Sequence, residues 1–151
     1  MMKVREYSEG DWAAVRDIYD LAKPDEMRGV VAPNAILPLD SDPEMKSLFQ
    51  ESQILVAEDD DRIVGFGGNK GNYVSWLFVL PGHRRKGVAT ALVRAITARL
   101  DGPVTLNVAT TNVAARAFYE RLGFTVEREF MGDFKGHPCP VARLRYESAS
   151  A

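Results

Sequence analysis

The chain has 151 residues, of which 46% are hydrophobic and 26% charged, and its net charge is −2 at pH 7. This length is typical of one domain with a sizeable core, so we expect a domain over residues 1–147 and a frayed tail over 148–151. With 19 basic and 21 acidic residues, neither nucleic acid nor an anionic membrane is expected as the main partner. The apolar stretches are too short to span a bilayer, and no secretory signal is visible. These features predict a cytoplasmic protein.

The cysteine and histidine content argues against disulfide and metal chemistry. Cys139 is the single cysteine, so it cannot form an internal disulfide, and two histidines beside it do not make a structural zinc site. The acidic stretch at 58–61 is the other candidate for a metal site. An acidic hairpin tip is common and needs no ligand, so we expect no metal.

The N-terminal part predicts one strand, two helices and an irregular segment. Residues 3–7 can form a strand, and Ser8 with Asp11 three residues later resembles a capping box. Apolar residues at helical spacing then predict a helix over 12–22. Residues 23–43 contain four prolines and a glycine, too many for one continuous element, and so long a segment in a small domain is typical of a binding loop. A second short helix is predicted near 43–51.

From residue 53 onward, strands and helices alternate. The sequence predicts a hairpin (54–57 and 63–67), a strand (73–80), an amphipathic helix (88–100), a strand (104–108), a helix (114–122) and two strands (124–130 and 141–146). We interpret the glycines between 65 and 71 as a strand end and a turn. The order β-α-α-β-β-β-α-β-α-β-β predicts an α/β protein with a twisted mixed sheet and helices on both faces.

The turn before the helix at 88–100 has the features of an anion-binding site. Helix N-termini expose unpaired N–H groups and a partial positive charge, and cations there normally destabilise by ~0.3–1 kcal/mol each. Three adjacent cations and two small residues lie at this helix start: Arg84, Arg85, Lys86, Gly87 and Ala89. A solvated basic turn is the alternative interpretation. A nucleoside-triphosphate loop is excluded, because Val88-Ala89 replace its Lys and Ser/Thr.

Two motifs resemble those of the GCN5-related N-acetyltransferase (GNAT) family. Arg84-x-x-Gly87-x-Ala89, after a strand that ends Leu77-Phe78-Val79, resembles the family's Q/R-x-x-G-x-G/A signature. Residues 112–124 resemble its N-x-x-A-x-x-F-Y-x-x-x-G-F block at the right distance, so the resemblance covers nearly the whole chain. Residues 54–146 look closest to small bacterial members of unassigned substrate. The implied fold is a mostly antiparallel sheet whose two central parallel strands splay apart.

The resemblance implies transfer of an acetyl group from acetyl-CoA to a primary amine. The pyrophosphate would lie at the helix start, and the N–H of Val79 would polarise the thioester carbonyl. The implied coenzyme-binding residues are Leu77, Phe78, Val79, Arg84, Arg85, Lys86, Gly87, Val88, Ala89, Thr90, Asn112, Ala115, Phe118 and Tyr119.

The resemblance implies two catalytic residues, Val79 and Tyr119. Tyr119 matches the family's general acid, and a phenol of pKa about 10 can protonate a thiolate whose parent pKa is about 8.5. The alternative is that Tyr119 packs in the core. Asn112 has a similar pair of interpretations, as a helix N-cap or a coenzyme contact, and Phe118 either packs or borders the coenzyme.

The general base is open. Some family members have a glutamate on the strand that corresponds to 73–79, and this chain has none there. Glu26, Asp133, His137 and a chain of waters are the candidates. Cys139 is expected to be a spectator thiol, which favours direct transfer in a ternary complex over an acetyl-cysteine intermediate.

Several functions remain compatible with the sequence. A small amine is the expected acceptor, such as an amino acid, a polyamine or an antibiotic-like molecule, with residues 24–43 forming a wall over a small pocket. A non-catalytic acyl-CoA sensor and a protein acetyltransferase are the alternatives, and a homodimer is compatible with the family.

Overall fold

The computed structural model describes residues 2–147, so the tail predicted over 148–151 lies outside the described residues. The described elements follow the predicted order. They are β1 (Met2–Glu6), α1 (Trp12–Glu26), α2 (Pro43–Gln50), β2 (Gln53–Asp59), β3 (Arg62–Lys70), β4 (Tyr73–Val79), α3 (Val88–Ala98), β5 (Pro103–Ala109), α4 (Val113–Arg121), β6 (Thr125–Phe134) and β7 (His137–Glu147). Among these residues, no helix is long and apolar enough to cross a membrane.

The strands form one sheet in the order β1-β2-β3-β4-β5-β7-β6. All neighbouring strands are antiparallel except β4 and β5, which are parallel. Strand β4 pairs with β5 at one position, Tyr73 with Thr105, near the start of both strands. Toward their ends, Val79 pairs with Gly65 on β3 and Ala109 pairs with Val141 on β7, away from each other. The two central strands therefore splay apart, as predicted.

Helices cover both faces of the sheet. On one face α3 and α4 contribute buried side chains, including Leu92, Ile96 and Tyr119, to a core with residues of β2–β5 and β7. On the other face α1 and α2 pack against Trp76 and Phe78 of β4. From Trp76 to Val79, the side chains of β4 enter the two cores in turn, because successive side chains of a strand point to opposite faces. The predicted mixed sheet with helices on both faces is confirmed.

Strand β3 extends further than predicted, so its glycines lie inside it, whereas Gly71 lies in the turn, as predicted. Gly65, Gly67 and Gly68 lie inside the strand and are buried, rather than at its end. A Cβ at Gly65 would lie 2.9 Å from Cγ1 of Val88, and one at Gly67 would lie 3.2 Å from Cδ1 of Ile96. The absence of side chains therefore lets α3 pack closely on the sheet.

Helix α1 also differs from the prediction, because it continues through Pro24 to Glu26. A proline inside a helix removes one N–H and usually breaks the helix. Here the last turn is retained, and the N–H of Met27 donates to the carbonyl of Lys23 at 3.2 Å. The extra turn carries Lys23 and Glu26 to the end of the sheet where β4 and β5 splay.

The link between β1 and α1 is built around Asp11. Its carboxylate accepts two hydrogen bonds from the Arg5 guanidinium, both of 2.8 Å, and a third of 2.8 Å from the N–H of Ser8. The predicted reach of Asp11 back to Ser8 is thus confirmed, ahead of the helix that starts at Trp12. The hydrogen bonds from Arg5 lower the pKa of Asp11 to about 2.

Asp11→Asn is expected to lower the free energy of unfolding by about 2 kcal/mol at pH 7. A carboxyl whose pKa is depressed from 3.8 to about 2 on folding stabilises the protein above pH 4, and this contribution is lost as the pH falls from about 4 to about 2. Urea titrations at several pH values measure the difference. Asp17→Asn is the control, because Asp17 is 64% exposed in its pair with Arg16 and should cost less than about 0.5 kcal/mol. An equal loss in both variants would contradict the prediction.

Candidate active site

A cleft of about 960 Å³ opens where β4 and β5 diverge. The end of α1, the start of α4 and the hairpin between β6 and β7 complete its walls. Half of the residues predicted from the motifs line this cleft, namely Leu77, Phe78, Val79, Arg84, Asn112, Ala115 and Tyr119. Residues from three separate parts of the sequence therefore meet at one site.

The other predicted residues lie outside the cleft lining. They are Arg85, Lys86, Gly87, Val88, Ala89, Thr90 and Phe118. The side chain of Val88 is buried in the core beneath α3, so only its backbone can meet a ligand. The ring of Phe118 packs at 5.1 Å against that of Tyr119 and against the same core. Packing is thus the role that the structure shows for Phe118.

The backbone of β4 presents hydrogen-bonding groups to the cleft. The N–H of Leu80 donates to the carbonyl of Val64 on β3 at 2.8 Å. Because N–H groups alternate in direction along a strand, that of Val79 points away from β3, toward the gap beside β5. Leu77 lies two residues earlier and has the same orientation. This edge can therefore accept an extended ligand as if it were an added strand.

The start of α3 provides a second set of N–H donors. Gly87 is the N-cap, with a left-handed φ of +82° that favours glycine. Its carbonyl accepts the N–H of Ala91 at 3.0 Å, so the N–H groups of Val88, Ala89 and Thr90 precede the first helical hydrogen bond. A Cβ at Gly87 would find no atom within 4 Å. The helix start is therefore open to an anion.

Arg84 is paired across the cleft with the end of α1. Its Nη1 lies 2.7 Å from Oδ2 of Asp25, and Arg28 contacts the other oxygen of this carboxylate, also at 2.7 Å. The hydrogen bond from Arg84 holds the pKa of Asp25 below its usual range. The Arg84–Asp25 pair thus joins the turn before α3 to α1 at the mouth of the cleft.

Tyr119 packs in the core and also lines the cleft. Its ring packs at 5.5 Å against that of Phe124, and the residue is 7% exposed. Burial, followed by the charge of Glu26 and by Tyr73, raises the pKa of the Tyr119 phenol, so the group stays protonated at neutral and moderately alkaline pH.

Asn112 likewise has two roles. Its Oδ1 accepts the N–H of Ala115 at 3.2 Å, which caps the start of α4. The residue also lines the cleft beside Tyr119. The cap fixes the helix that carries the phenol.

The three side chains considered for the general base differ in where they lie. Glu26 and Asp133 line the cleft, whereas His137 does not. Asp133 is exposed, and its Oδ2 accepts the N–H of Gly136 at 2.9 Å within the β6–β7 turn. Burial is the main cause that raises the pKa values of Tyr73, Tyr119 and Cys139, and the charge of Glu26 adds to it in each case. These three groups belong to three different elements, and all of them line the cleft together with Glu26.

Lys23, Tyr73 and Asn107 also line the cleft and were not predicted from the sequence. Lys23 Nζ lies 3.2 Å from Oε2 of Glu26. Tyr73 lies on β4 and Asn107 on β5, the two strands that splay apart. A signal for Lys23 exists in the sequence, since Tyr19, Lys23 and Glu26 share one helical face, but Pro24 suggested that the helix had already ended.

Cys139 lines the cleft and is buried. Burial and the charge of Glu26 raise the pKa of its thiol, while Lys23 acts in the opposite sense. A protonated thiol is a poor nucleophile, which agrees with the expectation of a spectator. No group of three or more His, Cys, Asp and Glu side chains within residues 2–147 is arranged to hold a metal ion.

Residues 24–43 were expected to form a wall over the pocket. In the structure a smaller part of this segment lines the cleft, together with residues of α2. From this segment, residues 25–28 line the cleft, and Met45 and Leu48 of α2 extend the wall. The β6–β7 hairpin crosses to this side, where Lys135 Nζ lies 2.9 Å from Oδ1 of Asp42. This ion pair ties the hairpin to the start of α2.

The family comparison agrees with this geometry. The model of the acetyltransferase (GNAT) domain matches residues 50–126, about half of the chain. This chain belongs to the GNAT acetyltransferase family. The prediction of an N-acetyltransferase domain is therefore confirmed at the level of the family.

Curated GNAT relatives and a solved structure add detail. The chain is 34% identical over 103 residues to the peptidyl-lysine N-acetyltransferase YjaB of Salmonella typhimurium, covering 68% of this chain and 70% of YjaB. It is 28% identical over 102 residues to the uncharacterised N-acetyltransferase YafP of Escherichia coli, covering 68% of this chain and 65% of YafP. The matched region thus spans about two thirds of these relatives.

The fold is also that of a known GNAT structure. The yncA acetyltransferase of Salmonella typhimurium, solved with acetyl-CoA, superposes with a TM-score of 0.72 at 16% identity, covering 97% of this chain and 94% of yncA. At this identity, the likeness supports the fold.

Proposed function

We propose that this chain transfers the acetyl group of acetyl-CoA to a primary amine of a small molecule, by direct transfer in a ternary complex. One observation carries the proposal: the outward N–H of Val79, the Tyr119 phenol and the Glu26 carboxylate line the same cleft from three different elements. Together they supply an oxyanion donor, an acid and a base, which are the groups that acyl transfer from a thioester to an amine requires.

The backbone supplies the coenzyme contacts. The edge of β4 at Leu77 and Val79 would pair with the pantetheine arm, and the N–H groups at the start of α3 would bind the pyrophosphate. The Arg84 guanidinium would leave the carboxylate of Asp25 and bind a phosphate of the coenzyme. The N–H of Val79 would stabilise the charge that develops on the thioester oxygen, and such a donor is typically worth about 10²–10³ in rate.

The side chains of Glu26 and Tyr119 would transfer the protons of the reaction. The acceptor nitrogen attacks the thioester carbon, Glu26 accepts the proton that the nitrogen loses, and the carbon–sulfur bond breaks. Tyr119 protonates the departing thiolate and recovers its proton from solvent. Burial raises the pKa of the phenol, and the same apolar surroundings raise that of the thiol, so the two groups remain matched for proton transfer.

The wall formed by the β6–β7 hairpin and α2 supports a small-molecule substrate. The Lys135–Asp42 pair holds the hairpin to the start of α2, on the side of the cleft where the acceptor would bind. Similarity to YjaB, named a peptidyl-lysine N-acetyltransferase, favours a second candidate, acetylation of a protein lysine. A cytoplasmic location and a homodimer stay predictions from the sequence.

Acetyl-CoA at about 100 times its Kd is expected to add about 2.7 kcal/mol to the stability, which raises Tm by several degrees. Gly87→Leu should abolish this rise, because its side chain would fill the open helix start. Gly102→Leu is the matched control: Gly102 also has a positive φ of +77° and no atom within 4 Å of a Cβ, but it directly precedes β5 and is not at the N-terminus of α3. Thermal melts with and without the coenzyme measure both. An undiminished rise in Gly87→Leu would contradict the phosphate site.

A thiol-release assay with acetyl-CoA should detect turnover with at least one small amine in a panel that also contains lysine peptides. Small amines should exceed lysine peptides in kcat/KM by tenfold or more if the hairpin and α2 wall the acceptor side as proposed. Higher activity on peptides would favour the protein acetyltransferase. A coenzyme-induced Tm rise without thiol release from any amine would favour the acyl-CoA sensor.

A further inference from the structure

The buried ammonium of Lys23 lies in the cleft between α1, β4 and β6, which we take as its acceptor end, and acetyl transfer by itself does not require this charge. The Lys23 side chain is 8% exposed. Its Nζ lies 5.9 Å from the ring centroid of Tyr19, 5.7 Å from that of Phe78 and 5.2 Å from that of Phe134. Its ion-pair partner within residues 2–147 is Glu26, at 3.2 Å. Such a buried charge is costly unless an opposite charge accompanies it.

The other charges that line the cleft are engaged elsewhere. Arg28 and Arg84 share the carboxylate of Asp25 at the coenzyme end. Asp133 caps the β6–β7 turn through the N–H of Gly136. The acceptor end is therefore defined by one cation and one anion, Lys23 and Glu26, held side by side.

The proposed base chemistry disturbs this pair. When Glu26 accepts a proton from the acceptor, it becomes neutral and Lys23 loses its counter-charge inside the aromatic cage. Removing the counter-charge of the buried Lys23 ammonium in this way is unfavourable. An acceptor that brings its own carboxylate would remove this penalty, whereas a polyamine would add positive charge beside Lys23.

We propose that the acceptor is an α-amino acid or a close relative, a small molecule with a carboxylate next to its primary amine. The carboxylate binds Lys23, and the amine binds Glu26, its base. The two charges of an amino acid are separated by one carbon, which suits partners that lie 3.2 Å apart. This inference rests on the proposed acetyltransferase function and names its substrate class.

Matched acceptors test the proposal: each amino acid is compared with its carboxamide and with the amine that lacks the carboxylate. The wild-type kcat/KM for each amino acid should be at least tenfold higher than for its carboxamide and for the amine that lacks the carboxylate. Lys23→Met should raise KM for amino acids tenfold or more and change KM for the carboxamides less than about threefold. Any change in kcat should be the same for both substrates, because Lys23 binds the carboxylate rather than the reacting atoms.

Lys70→Met is the matched control, since Lys70 is exposed at the end of β3 in a pair with Glu51 and should leave both KM values unchanged. The Tm rise with acetyl-CoA shows that Lys23→Met is folded and binds the coenzyme. Equal efficiency of wild type with amino acids and carboxamides would overturn the proposal, as would an equal loss with both in Lys23→Met. Absence of thiol release with every amine would instead overturn the acetyltransferase function.

Binding provides a readout that does not depend on turnover. Amino acids should raise the Tm of the wild type saturated with coenzyme A, and Lys23→Met should lose this rise while Lys70→Met retains it. No rise with any amino acid in the wild type would overturn the substrate assignment even if other amines are acetylated.

Discussion

Tyr119→Phe is expected to lower kcat by about 10²–10⁴-fold while the acetyl-CoA-induced rise in Tm is retained. The variant removes one hydroxyl and keeps the ring, so the packing against Phe118 and Phe124 is preserved. Without the phenolic proton, the coenzyme leaves as a thiolate in a buried site, which is unfavourable because desolvation penalises the charged form. Steady-state thiol release between pH 6 and 9.5 measures the loss.

Tyr146→Phe is the control for this experiment. Tyr146 packs at 5.2 Å against the ring of Phe124, in the same aromatic cluster, but it does not line the cleft. Its loss of a hydroxyl should change kcat less than about threefold. Since burial raises the pKa of Tyr119, wild-type activity should show no alkaline decline from this group up to pH 9.5. If Tyr119→Phe retains full turnover at every pH, Tyr119 is not the acid.

The parts of the site that were predicted lie in continuous motifs. The stretches around Gly87 and Asn112 join a strand or turn to the start of a helix, so a local pattern reports both the fold and the orientation of the backbone groups. The splay of β4 and β5 followed from the family resemblance, and the pairing recorded at Tyr73 alone agrees with it. Local motifs and the family resemblance were thus enough to predict half of the implied coenzyme-binding residues as neighbours in one cleft.

The acceptor half could not be predicted because it depends on tertiary contacts. Pro24 suggested a helix end, yet packing of α1 on β4 keeps its last turn and places Lys23 among three rings from α1, β4 and β6. The glycines of β3 were misplaced for a related reason. Their small size serves the close approach of α3, such as the contact of Gly65 with Val88, and a single strand pattern contains no information about a helix packed across it.

Glu26→Gln is expected to lower kcat by about 10²–10³-fold near neutral pH, since a positioned base typically contributes 10²–10⁴-fold. The amide keeps the shape of the carboxylate and a hydrogen-bonding oxygen for Lys23, but it cannot accept the proton of the acceptor. The loss of activity in Glu26→Gln should become smaller as the pH rises toward the pKa of the acceptor amine, because more of the amine is then already deprotonated when it binds. The ratio of wild-type to variant kcat/KM across pH 6–9.5 measures this trend.

Asp133→Asn and His137→Gln separate Glu26 from the other two candidates. Asp133 is committed to the β6–β7 turn and His137 lies outside the cleft lining, so each variant should keep more than a third of the wild-type kcat. A large loss in Asp133→Asn with none in Glu26→Gln would transfer the role of base to the hairpin. Losses below about threefold in all three variants would leave a chain of waters as the path for the proton, because Glu26 would then lie beside the acceptor without taking part in its deprotonation.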